Sequence, residues 1–318
     1  MELSDPARSV QSMTVVDLPA PPAPVATTPA LGSLSPSRAS DFLSCPLKYR
    51  FRVVDRLAEP PSPSATRGTL VHAVLERLFD LPPAERTPAA AAALVQPEWE
   101  RLQAEDDGLA PALFPGEDAA EAVEAWLAGA GPLLDAYFAL EDPRRLLPAA
   151  RELLVSHTTQ AGLTLRGIVD RLDEAPAGPH EGALRVVDYK TGRAPSPEFE
   201  ARVLFQLKFY ALVLWRTRGR VPAVLELLYL GGERPERLRY APDEQDLVGV
   251  ERTLHALGAA IARAHETGDW RPRASALCGW CAHQSICPTT GGTPPPLPAR
   301  IAAGEIVDVV PELVDVTG

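Results

Sequence analysis

Asparagine is absent from the 318 residues, and lysine occurs only three times, at Lys48, Lys190 and Lys208, against 28 arginines. A GC-rich coding sequence disfavours both residues, and all three surviving lysines fall in segments that matter below. Long apolar runs are also missing: Phe209 to Trp215 is typical of the longest, far short of the about 20 residues needed to span a bilayer. The opening Met1-Glu2-Leu3-Ser4-Asp5 has neither a basic start nor an apolar core, which predicts no secretory signal. No membrane contact is expected, and a cytoplasmic, reducing location is. The four cysteines therefore read as metal ligands rather than as disulfides. No G-x-x-x-x-G-K-[ST] occurs, because the lysines follow Leu47, Tyr189 and Leu207, so the chain carries no phosphate-cradling ATPase loop of that type.

Hydrophobic residues make up 46% and charged residues 23%, so most of the chain is expected to fold. The 34 prolines and 22 glycines exceed ordinary usage and point to tails or linkers. A net charge of -11 argues against a polyanionic partner until its distribution is considered. Residues 80–150 hold 14 acidic and 4 basic residues; residues 151–287 are nearly balanced, with 18 basic and 17 acidic. Outside the acidic stretch the surface is free to face nucleic acid.

Residues 1–30 show no amphipathic period and read as a disordered tail; 291–318 read as a Pro-rich, acidic-hydrophobic one. A helix is predicted from Ser35-Pro36 toward Cys45, with Ser35 as cap. A second should follow Gly68, with Val71, Leu75 and Leu78 as its stripe. The 80–150 segment reads as a helical insertion. Strands are predicted at 152–157, 163–170 and 183–190, then a helix over 197–215, strands at 224–229 and 237–240, and a helix over 243–265. This order predicts an α/β domain with a mixed central sheet flanked by helices.

Asp188-Tyr189-Lys190 ends an apolar strand, so Asp188 and Lys190 project to one face and Tyr189 to the other. Asp170 ends the preceding strand and can bring a second carboxylate beside Asp188. Two converging carboxylates repel unless they share a cation, and hard oxygen ligands suit Mg²⁺ or Mn²⁺. On the following helix Val203, Gln206, Leu207, Tyr210 and Leu214 form one stripe. Gln206 is then either satisfied by backbone or aimed at the carboxylate-bearing strand ends. Cys278-x-x-Cys281-x5-Cys287, together with the distant Cys45, would pin the N-terminal helix to the C-terminal segment; four thiolates suit Zn²⁺ or an iron–sulfur cluster. Tyr49, Arg50, Phe51, Arg52 and Trp280 either stack on the bases of a single strand or pack around the cysteines.

The ordered series Gly68-x-x-x-His72-x-x-x-Glu76, Gly167-Ile168-Val169-Asp170, Val187-Asp188-Tyr189-Lys190-Thr191-Gly192 and Gln206-x-x-x-Tyr210 resembles the RecB-type branch of the PD-(D/E)XK nucleases over residues 31–290. The resemblance implies a Mg²⁺- or Mn²⁺-dependent deoxyribonuclease, an exonuclease above all, acting in DNA repair or recombination. Asp170, Asp188 and His72 would hold the metal, Lys190 would position the attacking water, and Gln206 and Tyr210 would touch substrate or brace the site. The cysteine placement is similar to that of the iron–sulfur nucleases of this branch, which implies a [4Fe-4S] cluster on Cys45, Cys278, Cys281 and Cys287 in preference to Zn²⁺. The implied partners are DNA, single-stranded or with free ends, and a separate helicase or repair subunit. A CRISPR-adaptation-type nuclease and a non-catalytic iron–sulfur scaffold on DNA are the alternative readings.

Overall fold

The computed structural model describes residues 33–196 and 200–298. The expected N-terminal tail at 1–30, and the C-terminal one from 299 onward, lie outside the described residues. Helix α1 (Pro36–Ser44) begins where the Ser-Pro signal places it: the Ser35 hydroxyl accepts the Arg38 N–H at 3.2 Å, satisfying one of the free donors of the first turn. Cys45 breaks it in extended conformation, and Pro46 starts α2 (Pro46–Tyr49), which runs into one π-helical turn over Arg50–Val54. Helix α3 (Pro63–Leu78) starts before Gly68, not after it, because Ser62 and Pro63 repeat the same capping signal. Helices α4 (Pro88–Glu105), α5 (Leu109–Leu113), α6 (Ala119–Ala128) and α7 (Gly131–Leu140) occupy most of the acidic stretch.

Five strands follow: β1 (Pro148–Thr158), β2 (Thr164–Glu174), β3 (Leu184–Lys190), β4 (Val224–Tyr229) and β5 (Glu236–Tyr240). Helix α8 (Glu200–Arg218) crosses between β3 and β4, and α9 (Glu244–Thr267) comes last. The sheet order is β1-β2-β3-β4-β5. Only β3 and β4 are parallel, which is why a helix must return the chain between them. β3 is buried on both faces, and its alternating side chains feed two cores. Val186 joins Leu225, Leu227 and the α8 residues Leu207, Ala211 and Leu214. Val187 and Tyr189 join Val71, Leu75 and Leu78 of α3 with Trp99, Trp126 and Tyr137 of the insertion. The insertion thus completes one core of the sheet, each fully buried Leu or Val contributing about 1.5–3 kcal/mol. Among the described residues no helix is long and apolar enough to cross a membrane.

Candidate metal centre

The antiparallel ladder between β2 and β3 runs from Glu174↔Leu184 to Arg171↔Val187 and stops there. Asp170 and Asp188 are the first residues past its end, where the strands diverge and freed backbone groups need partners. The Asp170 Oδ2 accepts the Tyr189 N–H at 2.8 Å. Asp188, with 1% of its side chain exposed, pairs through Oδ2 with the Lys190 ammonium at 2.6 Å, as the strand alternation requires. Lys190 also donates to Gln206 Oε1 at 3.0 Å, and Gln206 Nε2 donates to the Tyr210 hydroxyl at 3.0 Å. Gln206 therefore points at the carboxylate-bearing strand ends. Gly167 makes this relay possible: a Cβ there would lie 2.5 Å from the Tyr210 ring, so only glycine lets the ring rest on β2.

His72 reaches the same place from α3. Its Nε2 meets the Tyr189 carbonyl at 2.9 Å, and its Nδ1 lies 3.4 Å from Asp170 Oδ2. Gly68, one turn earlier, keeps α3 close: a Cβ there would stand 3.3 Å from Thr191 Oγ1. A fourth group comes from β1. Glu152 falls between the pairs Arg151↔Arg171 and Leu153↔Val169, opposite Asp170, in a strand whose register shifts between Pro148 and Ala150. Its φ of +43° lies in the left-handed region that non-glycine residues avoid. His72, Glu152 and Asp170 each bring a ligand atom within 4.8 Å of the others. Sequence reasoning missed Glu152, which only the pairing of β1 with β2 sets opposite Asp170.

The electrostatics follow from crowding. Burial, then the Asp188 charge, holds Asp170 well above the ordinary carboxylate range. Partial desolvation, then the Glu76 and Asp188 carboxylates, push Glu152 up to about 7. Desolvation lowers His72, so its imidazole is neutral and free to ligate. The Asp188 Oδ1 is buried with no hydrogen-bond partner. A buried carboxylate oxygen without a donor costs several kcal/mol, and three carboxylates face one ammonium. The donor set of carboxylate oxygens and one imidazole suits a hard divalent cation that balances this charge.

The cysteines meet elsewhere. Cys45, Cys278, Cys281 and Cys287 are all free thiols and line one cavity of about 200 Å³ between α1, α2 and the C-terminal segment. The Cys45 sulfur accepts the Arg273 N–H at 3.4 Å and the Cys278 sulfur accepts the Ser275 N–H at 3.3 Å. Among the described residues no three of these sulfurs lie within 4.8 Å of one another. Of the aromatic and basic residues set beside them, Tyr49 and Phe51 are buried in the core, Tyr49 stacked on Trp270 at 6.0 Å. Arg50 pairs with Asp55, and Arg52 with Asp41 and Glu59. These four brace the fold, whereas Trp280 is 90% exposed.

The fold is shared with a protein of Eubacterium rectale described as a candidate exonuclease: identity is 11%, coverage 85% of this chain and 92% of that one, and the TM-score 0.50. The structure of SSO0001 aligns at 14% identity over 81% of this chain and 87% of its own, with a TM-score of 0.39. No curated protein matches the sequence. The family model of the PD-(D/E)XK nuclease superfamily matches residues 33–288, a span that takes in the whole sheet, the acidic centre and all four cysteines, and the chain belongs to that superfamily.

Proposed function

We propose that the protein is a Mg²⁺- or Mn²⁺-dependent deoxyribonuclease of the RecB type, an exonuclease acting in DNA repair or recombination beside a separate helicase or repair subunit. The observation that carries the reading is the charge imbalance at the end of the β2–β3 ladder, where Glu152, Asp170 and Asp188 converge on a neutral His72 with one ammonium among them. These four residues would hold the cation. When bound, it polarises a phosphoryl oxygen and lowers the pKa of a coordinated water.

The protein's own groups do the rest. Lys190, fixed between the Asp188 carboxylate and the Gln206 amide, presents its remaining N–H donors to the attacking water and to the charge that builds on the phosphorus oxygens. Gln206 and Tyr210 hold the ammonium in place, and Gly167 seats Tyr210. Ordered donors cost no reorganisation at the moment of reaction.

The same reading gives Cys45, Cys278, Cys281 and Cys287 a [4Fe-4S] cluster. All four line one cavity, and two sulfurs receive backbone N–H groups, as cluster thiolates commonly do.

The test uses anaerobically purified protein, end-labelled single- and double-stranded DNA, and Mg²⁺ or Mn²⁺. The wild type should cut, while Asp188→Ala and Lys190→Ala, folded and with unchanged visible spectra, should not. A wild type that binds DNA and never cuts makes it a scaffold instead. A colourless wild-type protein, or a Cys281→Ala variant that stays brown and stable, would remove the cluster.

A further inference from the structure

A cleft of about 550 Å³ opens directly from the acidic centre. One wall is the first half of α3, with Ser64, Gly68, Thr69 and His72. The other is β3's end and the chain leaving it, Lys190 to Arg193. Among the described residues its lining contains no aspartate or glutamate, and the fixed charges there are Lys190 and Arg193. Lys190 is held by Asp188 and Gln206, whereas Arg193 is exposed and has no carboxylate partner among the described residues. Many of the chain's other arginines are ion-paired, among them Arg171, Arg185, Arg216, Arg237 and Arg239.

The backbone under Arg193 is held firmly. The Leu230 N–H bonds the Lys190 carbonyl at 2.8 Å, and the Gly231 N–H bonds the Gly192 carbonyl. A Cβ on Gly231 would lie 2.3 Å from the Thr191 carbonyl oxygen, so glycine alone allows these segments to meet. A Cβ on Gly232 would stand 3.3 Å from the Arg193 Cβ, which fixes the base of that side chain against the β4–β5 turn.

We infer that this cleft seats the phosphodiester next to the scissile one in a single DNA strand, with Arg193 as the residue that grips its phosphate. The inference rests on the nuclease reading and deepens it. A guanidinium matches two phosphate oxygens at once. The Ser64 and Thr69 hydroxyls supply neutral donors from the facing wall, and Pro195 and Val203 an apolar surface for the sugar. The carboxylates at one end and the two basic side chains at the other sort the polyanion by charge: its reacting phosphate enters where a cation would sit, and its neighbour lies beside Arg193.

Binding of a fluorescein-labelled oligothymidylate is measured by anisotropy with Ca²⁺ in place of Mg²⁺, for the full chain and for Arg193→Ala, Arg193→Lys and, as a charge-matched control, Arg252→Ala on α9. Cleavage in Mg²⁺ is followed in parallel. Arg193→Ala should weaken binding several-fold and flatten the slope of log affinity against log salt by about 0.7, the share of one single-strand phosphate. Arg193→Lys should restore the slope but not all the affinity, and KM should rise more than kcat falls. A single methylphosphonate moved along the strand should show one position whose neutralisation harms the wild type and not Arg193→Ala. Equal slopes for Arg193→Ala and Arg252→Ala, in a wild type that binds and cuts, would overturn the subsite alone. Duplex DNA competing as well as the single strand would overturn its strand preference. A wild type that neither binds nor cuts would instead end the nuclease reading on which it rests.

Discussion

On the face of the β2–β3–β4 ladder opposite Asp188, Glu141 and Glu226 are buried with Arg171, and the half-buried Asp173 and Arg185 and the exposed Arg237 and Arg239 join them. Each carboxylate there touches at least two guanidinium groups, at 2.7 to 3.1 Å, and Arg171 also donates to the Tyr189 hydroxyl at 2.8 Å. At the Asp170 end of the β2–β3 ladder, three carboxylates share one ammonium and a neutral imidazole. Each cluster has a buried carboxylate at its heart, Glu226 in the first and Asp188 in the second. The first closes its charge within the chain and so contributes to a fixed structure; the second leaves its charge open and so spends stability on affinity for a cation. A buried ionic group is thus no sign of function by itself: the count of opposite charges around it separates brace from site.

Four measurements sharpen or break this contrast. The largest effect is expected from Asp188→Asn, which should reduce metal-dependent cleavage to background while the thermal midpoint of the metal-free protein holds or rises, because repulsion with Asp170 is relieved. Mg²⁺ or Mn²⁺ should stabilise the wild type, by about 2.7 kcal/mol at a hundred times its dissociation constant, and not this variant. A large drop in the metal-free midpoint would mean that Asp188 is a brace as well. Arg171→Met should do the reverse, costing about 3–5 kcal/mol in urea titration by taking the buried guanidinium from Glu141 and leaving Glu141 and Asp173 to share Arg185; a near-neutral result would dissolve the distinction. Gly167→Ala, which forces the Tyr210 ring off β2, should cost about 1–3 kcal/mol and lower the turnover rate. The smallest effect concerns pH. Glu152 is raised from its ordinary 4.5 to about 7 in the folded protein, so the folded state holds its proton more tightly than the unfolded one. With metal chelated, stability should be greatest below about pH 4.5 on this account and fall as pH rises through about 7, and Glu152→Gln should remove that fall.

Much of this arrangement is legible in the residues. The Ser35-Pro36 cap, the β3 alternation that puts Asp188 with Lys190, and the α8 stripe that carries Gln206 and Tyr210 all follow from local rules, because one helix turn or one strand fixes them. The α3 start was equally available in Ser62-Pro63, but the glycine that follows drew the boundary too late. Glu152 is different in kind. Its place depends on the pairing of β1 with β2 that sets it opposite Asp170, and no local rule gives that pairing. The arginine network depends on Glu141, at the end of an insertion that reads only as acidic helix, meeting strands that come later in the chain. The meeting of Cys45 with the three later cysteines around one cavity is likewise set by tertiary packing, which the Cys-x-x-Cys-x5-Cys spacing does not encode.

The join between the two ends of the described chain has a consequence for synthesis. Cys45 and the Arg273 amide that reaches it are 228 residues apart, and the Tyr49 ring lies on Trp270. At about 5–20 residues per second, a ribosome that has released α1 and α2 takes roughly 10–45 s to deliver the segment that covers them. Until then Phe42, Tyr49 and the thiol of Cys45 lack that cover, so the first part of the protein to be made is among the last to be finished.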